Sequence, residues 1–349
     1  MDLLTPARTW AAVENSQKLQ GVSHAPARMP AVQRAVMFFS VVGPFAGLVA
    51  AIVLFWRRSP AGGGIGWPEV FLMVVMYALA GFGVTIGFHR LLTHRAFETS
   101  RPVRWLLAIF GSSAAQGMAI KWVATHRRHH QLSDREGDPH SPHLHGEGPL
   151  AMLRGMWHAH VGWCFDADRP ALARSVPDLL ADRGMLWIDR LYFLWVGLGL
   201  LLPALALGLY TRSWGGFVSG LVWGGLVRVF LMQHVTWSIN SVCHVWGGRP
   251  FNSADQSTNN FPIALVSLGE GWHNNHHAFP TSARHGLRWW QFDATYVVIQ
   301  VMSGLRLVWN VRQPTASAIN AKLRRVREGS GGLTLVRSPA VPEEEGSRV

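Results

Sequence analysis

The sequence predicts an all-α integral membrane protein, with four helices crossing a bilayer under a cytosolic helical cap that carries a histidine-rich metal site. Three observations lead there. Four long apolar runs reach or approach the ~20 residues needed to cross a hydrocarbon core of about 30 Å. Only 15% of the residues are charged, against about 25% in an ordinary soluble domain. Histidines gather in four tight clusters, three of them near the ends of apolar runs or just beyond.

The first 34 residues carry Arg8, Lys18, Arg28 and Arg34 and no apolar run. They read as a cytoplasmic arm, without the apolar core of a cleavable leader. Ala35–Trp56 has no charge and as a helix measures about 33 Å, enough to span. Arg57, Arg58 and a Pro/Gly-rich turn follow, then a second uncharged run, Val70–Phe88, antiparallel to the first. His89–Arg190 is polar and forms the first part of the cap. Within it Val103–Ile120 reads as a helix lying on the membrane surface. A crossing there would put His89 and His94 on the opposite side from His126–His130. Leu191–Tyr210 is the third span, where neighbours can satisfy the carbonyl freed by Pro203. Phe217–Val242 is the fourth, interrupted by Arg228, Gln233 and His234. An ionisable group at membrane depth needs a reason, and the sequence offers none for Arg228. Residues 243–329 complete the cap, so 35–329 reads as one domain. From about Ser330 to Val349 the composition is that of a disordered tail.

The net charge is +12, and basic residues cluster before the first span and after the second and fourth. The positive-inside rule then places both termini and the cap in the cytoplasm, facing anionic lipid. No nucleic-acid motif accompanies the charge, so nucleic acid is not an expected partner. Seventeen Trp and seventeen Phe suit interfacial belts. Two cysteines, Cys164 and Cys243, exclude a disulfide framework and a four-cysteine metal site. Cys243 reads as a small packed residue.

The clusters are His89-R-L-L-T-His94, His126-R-R-His129-His130, Asn240-S-V-C-His244 and His273-N-N-His276-His277. His126 and His130 share a helix face, as do Asn240 and His244, and as do His273, His276 and His277. His89 and His94 are five apart and converge only if the helix ends or bends between them. Imidazole suits iron, zinc, copper and nickel. Nine histidines with one amide are too many for one ion and natural for two. Glu-x-x-His occurs once, at Glu270–His273, where the carboxylate-bridged bundles need it twice together with two further glutamates, which rejects that class. Glu270, Asp134 and Asp138 stand near ligating histidines and could orient them through the second ring nitrogen. His24, His140, His143, His145, His158, His234 and His285 read as ordinary surface or core histidines, with His160 less clearly so.

At these residues the chain resembles the membrane fatty-acid desaturases, in particular the stearoyl-CoA (Δ9) desaturase-like branch of bacterial type without a fused electron carrier. The match is H-x4-H, H-x2-H-H and H-x2-H-H in order, the N-x3-H element, and the surrounding G-E-G-W-H-N-N-H-H-A-F-P, over about Val70 to Trp309. The resemblance implies a cap holding two non-haem irons. One would take His89, His94, His126, His130 and His276. The other would take His129, His244, His273 and His277, with Asn240 acting through a water. It also implies a kinked acyl tunnel with Gln116, Trp122, Thr236 and Trp237 at the bend, and Tyr77 and Gly81 near the methyl end. The implied location is a bacterial plasma membrane. One departure matters: Ala124 and Thr125 precede His126, where the animal acyl-CoA enzymes have Arg-Asp helping to hold the CoA. The long-chain acyl substrate is therefore expected as an acyl-CoA, an acyl-lipid or an acyl-carrier ester.

Removing hydrogen from an unactivated methylene needs a metal–oxygen oxidant, beyond side-chain acid–base chemistry. The expected reaction is O2-dependent insertion of a cis double bond at Δ9. Its electrons would come from a separate ferredoxin, cytochrome or flavin reductase, since no nucleotide-binding or C-x-x-C motif is present. Two alternatives stand beside it: a di-iron lipid hydroxylase, and a membrane metal-binding or transport protein. The latter would carry its ionisable groups nearer mid-membrane.

Overall fold

The computed structural model describes residues 29–55, 65–166, 171–323, 325–328 and 332–335. The N-terminal arm as far as residue 28 and the Arg57–Arg58 turn lie outside the described residues. Among the described residues four helices are long and apolar enough to cross a membrane: Ala31–Val53, Trp67–Thr93, Tyr192–Thr211 and Trp214–His244.

Helix α1 is Ala31–Ala50 and runs on to Phe55; α2 is Trp67–Phe82. The second span was expected to end at Phe88. Instead it continues as a wider winding, with i→i+5 hydrogen bonds, over Gly83–Thr93. It also starts earlier than the uncharged run and includes Glu69, which is buried and accepts a hydrogen bond from Ser219 Oγ at 3.2 Å. After strand β1 (Glu98–Thr99) comes α3 (Arg101–Ser112), whose 12 residues make about 18 Å, too short to cross. The expected single helix over Val103–Ile120 is broken: Ala115 and Gly117 have positive φ, and α4 (Ala119–Leu132) starts beyond them. Gly83 and Gly111 allow α3 to cross closely over the second span, since a Cβ on Gly83 would meet the backbone of Gly111.

The cap continues with α5 (Pro149–His160) and the short α6 (Leu172–Ser175), α7 (Pro177–Leu180) and α8 (Arg183–Arg190). The third span is α9 (Tyr192–Thr211). The fourth is α10 (Trp214–Gly220), a wide winding over Leu221–Val227, and α11 (Arg228–Ser241). Then come α12 (Phe261–Val266), α13 (His273–Ala278), α14 (Ala294–Gly304), β2 (Val308–Trp309) and α15 (Ala316–Lys322). β2 pairs with β1. Where the tail was expected to begin, β4 (Gly332–Leu335) pairs antiparallel with β3 (Arg325–Glu328). The rest of it lies outside the described residues.

Arg228 has a structural task. Its side chain is fully buried and donates to Gly199 O and Ser113 O, each at 2.7 Å. Gly199 is four residues before Pro203, so its carbonyl is the one that proline leaves without an amide. Ser113 caps the C-terminus of α3, where carbonyls lack helical partners. One guanidinium thus joins the third and fourth spans to α3. The largest apolar cluster, including Phe88, Phe97, Ile120, Val123, Met185 and Ile299, lies where the second span meets the cap.

Candidate metal centre and its cavity

The wide winding at the end of the second span solves the five-residue spacing. The His94 amide donates to His89 O at 3.1 Å, so residues five apart stack one turn above another. Their rings lie 4.7 Å apart. Helix α4 supplies His126 and His130, whose Nε2 atoms are 3.2 Å apart. Arg127 between them turns away. It donates to the carbonyls of Leu92 and Thr93 at the end of the winding and pairs with Asp178. Arg127 thereby pins α4 against the His89–His94 turn.

Helix α13 brings the third element. His276 Nε2 lies 3.1 Å from His89 Nε2 and 3.0 Å from His130 Nε2. His273 Nε2 faces His244 Nε2 at 3.1 Å. The nitrogens fall into two groups, each within 4.8 Å: His89, His94, His126, His130 and His276, and His129, His244, His273 and His277. Gly269 prepares this arrangement. Its φ of +112° and the contact a Cβ would make with Asp293 leave room for glycine alone. The turn it makes sends Glu270 under the site.

Four carboxylates meet the outer ring nitrogens. Asp138 contacts His129 Nδ1 at 3.0 Å and Asp134 contacts His244 Nδ1 at 2.9 Å. Asp255 contacts His277 Nδ1 at 2.6 Å. Glu270, placed by sequence three residues before His273, turns instead to His89 Nδ1 at 2.7 Å. His273 Nδ1 has no hydrogen-bond partner. A carboxylate on Nδ1 holds the proton there and leaves Nε2 as a lone-pair donor.

Burial lowers the pKa of His94, His126, His130, His273 and His276 well below the usual histidine value, and neighbouring imidazoles lower it further. Burial takes His277 down to about 4, against the pull of Asp255. For Asp134, Asp138 and Asp255 burial opposes ionisation, but the facing histidines outweigh it and hold each well below the usual carboxylate range. Glu270 is held low against burial mainly by the charge of Arg90. Six of the nine imidazoles are thus pushed toward the neutral form, whereas His244 is raised, its burial being outweighed by the Asp134 carboxylate.

That set fits a metal pair. His276 Nε2 lies about 3 Å from the Nε2 atoms of both His89 and His130, and one proton cannot serve all three. His129 Nε2 and His277 Nε2 are buried with no hydrogen-bond partner. Buried lone pairs of this kind are costly unless paired, and a cation in each group satisfies them together.

Several neighbours escaped the sequence reading. His285, taken as ordinary, is buried 3.2 Å from Glu270 and 4.4 Å, ring to ring, from His276. His140, also taken as ordinary, is buried with its ring 4.3 Å from that of His129. Arg90 is fully buried and pairs with Glu270 and Asp293, each at 2.9 Å. A charged residue directly after His89 was the available signal. Nothing local marks Asp255 or Asp293. His160 and His234 bond to each other at 3.0 Å, and His143 bonds to His244 O at 2.8 Å. The His145 ring lies 4.7 Å from that of His158, tilted by 44°. His24 lies outside the described residues. Cys243 is buried and free.

A cavity of about 680 Å³ runs from the two groups into the bundle. It is lined by all six residues expected at a tunnel: Tyr77, Gly81, Gln116, Trp122, Thr236 and Trp237. His89, His126, His273 and Asn240 border it on the side of the centre. Trp122 stacks on His126 with centroids 5.0 Å apart. Gln116 Nε2 donates to Thr236 Oγ1 at 2.7 Å, tying the turn after α3 to α11.

The family model described as fatty acid desaturase matches residues 65–310. The chain belongs to the fatty acid desaturase family. This desaturase is 45% identical to a hex-5-enoyl-[acyl-carrier protein] acetylenase of Moorena producens, over 82% of this chain and 88% of that protein. It is 39% identical to an acyl-CoA C20 Delta5-desaturase of Anemone leveillei, over 71% of this chain and 75% of that one. It is also 39% identical to an sn-1 stearoyl-lipid 9-desaturase of Anabaena variabilis, over 70% and 85%. The desaturase is therefore an oxidoreductase of lipid metabolism, and its four apolar helices are those of a membrane protein.

Proposed function

We propose that this desaturase uses two non-haem irons and O2 to insert a cis double bond at Δ9 of a long-chain saturated acyl group. The observation that carries the reading is the apolar cavity ending against two converging groups of imidazoles. The five-histidine group would hold one iron and the four-histidine group the other, with Asn240 contributing through a water. The irons, when bound and reduced, would supply with O2 the oxidant that the methylene requires.

The chain's own residues bind, orient and shield. The cavity replaces water around the acyl chain with apolar side chains, which favours its burial. Gln116 and Thr236, bridged to each other, hold the wall beside the metals. Trp122, stacked on His126, forms the wall beside it. A chain held in a fixed shape presents one carbon pair to the metals, and position then decides regiochemistry. Tyr77 and Gly81 line the far part and limit length. Likeness to a stearoyl-lipid 9-desaturase supports the Δ9 position. The three relatives carry their chains on carrier protein, CoA and lipid, so the cavity sets the chain and the carrier remains one of these.

In this reading residues 35–329 are the catalytic domain, and the cap and both termini face the cytoplasm of a bacterial plasma membrane. A ferredoxin, cytochrome or flavin reductase supplies the electrons there, and the net charge of +12 suits an acidic donor.

Lipid analysis of a host expressing wild type beside His273→Ala tests this. A new cis-9 monounsaturated chain with wild type alone is expected. Identical profiles, with good expression and a competent donor, would overturn the reading. A hydroxylated chain would move it to the lipid hydroxylases.

A further inference from the structure

The two groups of imidazoles differ in what stands behind them. In the four-histidine group, His129, His244 and His277 each rest on a carboxylate: Asp138, Asp134 and Asp255. Those carboxylates are otherwise met by serine hydroxyls and backbone amides, with the His140 Nδ1 also 3.9 Å from Asp138. Ser141 donates to Asp134, the His140 amide to Asp138, and Ser257 to Asp255. In the five-histidine group, among the described residues, His89 alone rests on a carboxylate, Glu270. That carboxylate is shared. Arg90 donates to its other oxygen through Nε at 3.1 Å and Nη2 at 2.9 Å, and His285 approaches at 3.2 Å. Arg90 is itself fully buried and locked by Asp293, which also takes the amide of His285. At the same group His276 Nδ1 is buried without a partner.

A carboxylate on the outer nitrogen makes the inner nitrogen a stronger donor. Its charge also attracts the cation, little screened where both are buried. The five-histidine group has one more imidazole, but that ligand is neutral. Three carboxylates held by histidines, serine hydroxyls and backbone amides outweigh one carboxylate shared with a buried arginine.

We propose that the two metal positions are unequal: the four-histidine position, backed by Asp134, Asp138 and Asp255, holds its cation more tightly than the five-histidine position, whose one carboxylate is paired with Arg90. This rests on the di-metal reading above. The centre therefore fills in order, with the position at His129, His244, His273 and His277 first. Arg90 is a positioning residue, which fixes Glu270 and weakens its pull on the metal.

The test is a cobalt(II) titration of the full chain in detergent, stripped of metal by chelator and followed by absorption. Two steps differing at least tenfold in affinity are expected. Asp138→Asn and Asp255→Asn should each weaken the tighter step by about 10–100-fold and leave the looser one. His94→Ala should abolish the looser step, while the tighter keeps its wild-type constant. Two ions bound with one affinity, or aspartate variants that weaken the looser step, would overturn the inequality. No cobalt bound by folded wild type would overturn the di-metal reading itself.

Discussion

At the residue scale the most instructive side chain is Arg228, a buried cation with no carboxylate in its bonding set. It works through carbonyls: Gly199 O, freed by Pro203, and Ser113 O at the end of α3. Polar backbone inside an apolar bundle must find an internal partner. Arg228→Met removes both donors at once. Each buried carbonyl left unpaired costs about 1–3 kcal/mol. Thermal unfolding in detergent should show Tm lowered by several degrees, and an unchanged Tm would show that the two bonds contribute nothing. The sequence flagged Arg228 as requiring a reason. It could not show which carbonyls were free, because these lie on two other helices.

At the element scale the second span does the most. Its i→i+5 winding over Gly83–Thr93 puts His89 and His94 together. Such windings tend to occur at functional sites. Higher on the same span, Gly81 borders the cavity with no side chain of its own. A Cβ there would stand 2.8 Å from Leu268 Cδ1 and 3.0 Å from Met232 Cε. Gly81→Leu should therefore shorten the space for the acyl chain. Gas chromatography of the products should show a shift toward shorter chains. A well-expressed variant with the wild-type product distribution would remove Gly81 from the wall that sets length. The element boundaries were read to within a few residues wherever lipid contact demanded apolar side chains. They were misread at Gly83–Thr93 and at Ala115–Gly117, where local backbone geometry decides and composition carries no signal.

At the scale of the whole molecule, the cap is tied together through its histidines. α4, α13, the end of the second span and the end of the fourth converge at the candidate centre. A cation bound to the folded chain stabilises it by mass action. Chelator treatment should then lower the Tm of the cap while far-UV circular dichroism keeps most of its helical signal, because the four spans are held by lipid or detergent. A Tm indifferent to chelator would mean that no bound metal supports the fold.

The sequence by itself determined the four spans and the clustering of histidines at or beyond their ends. Both are local properties: a helix must be apolar over its whole length to cross, and i, i+3, i+4 spacing fixes a face. Only the tertiary structure decided which carboxylate backs which imidazole. Asp255 reaches His277 from 22 residues away, Asp134 reaches His244 from 110 and Glu270 reaches His89 from about 180. It alone also placed His285 and Arg90 under the site. Such pairings depend on how separate helices pack, and no periodicity along the chain records them.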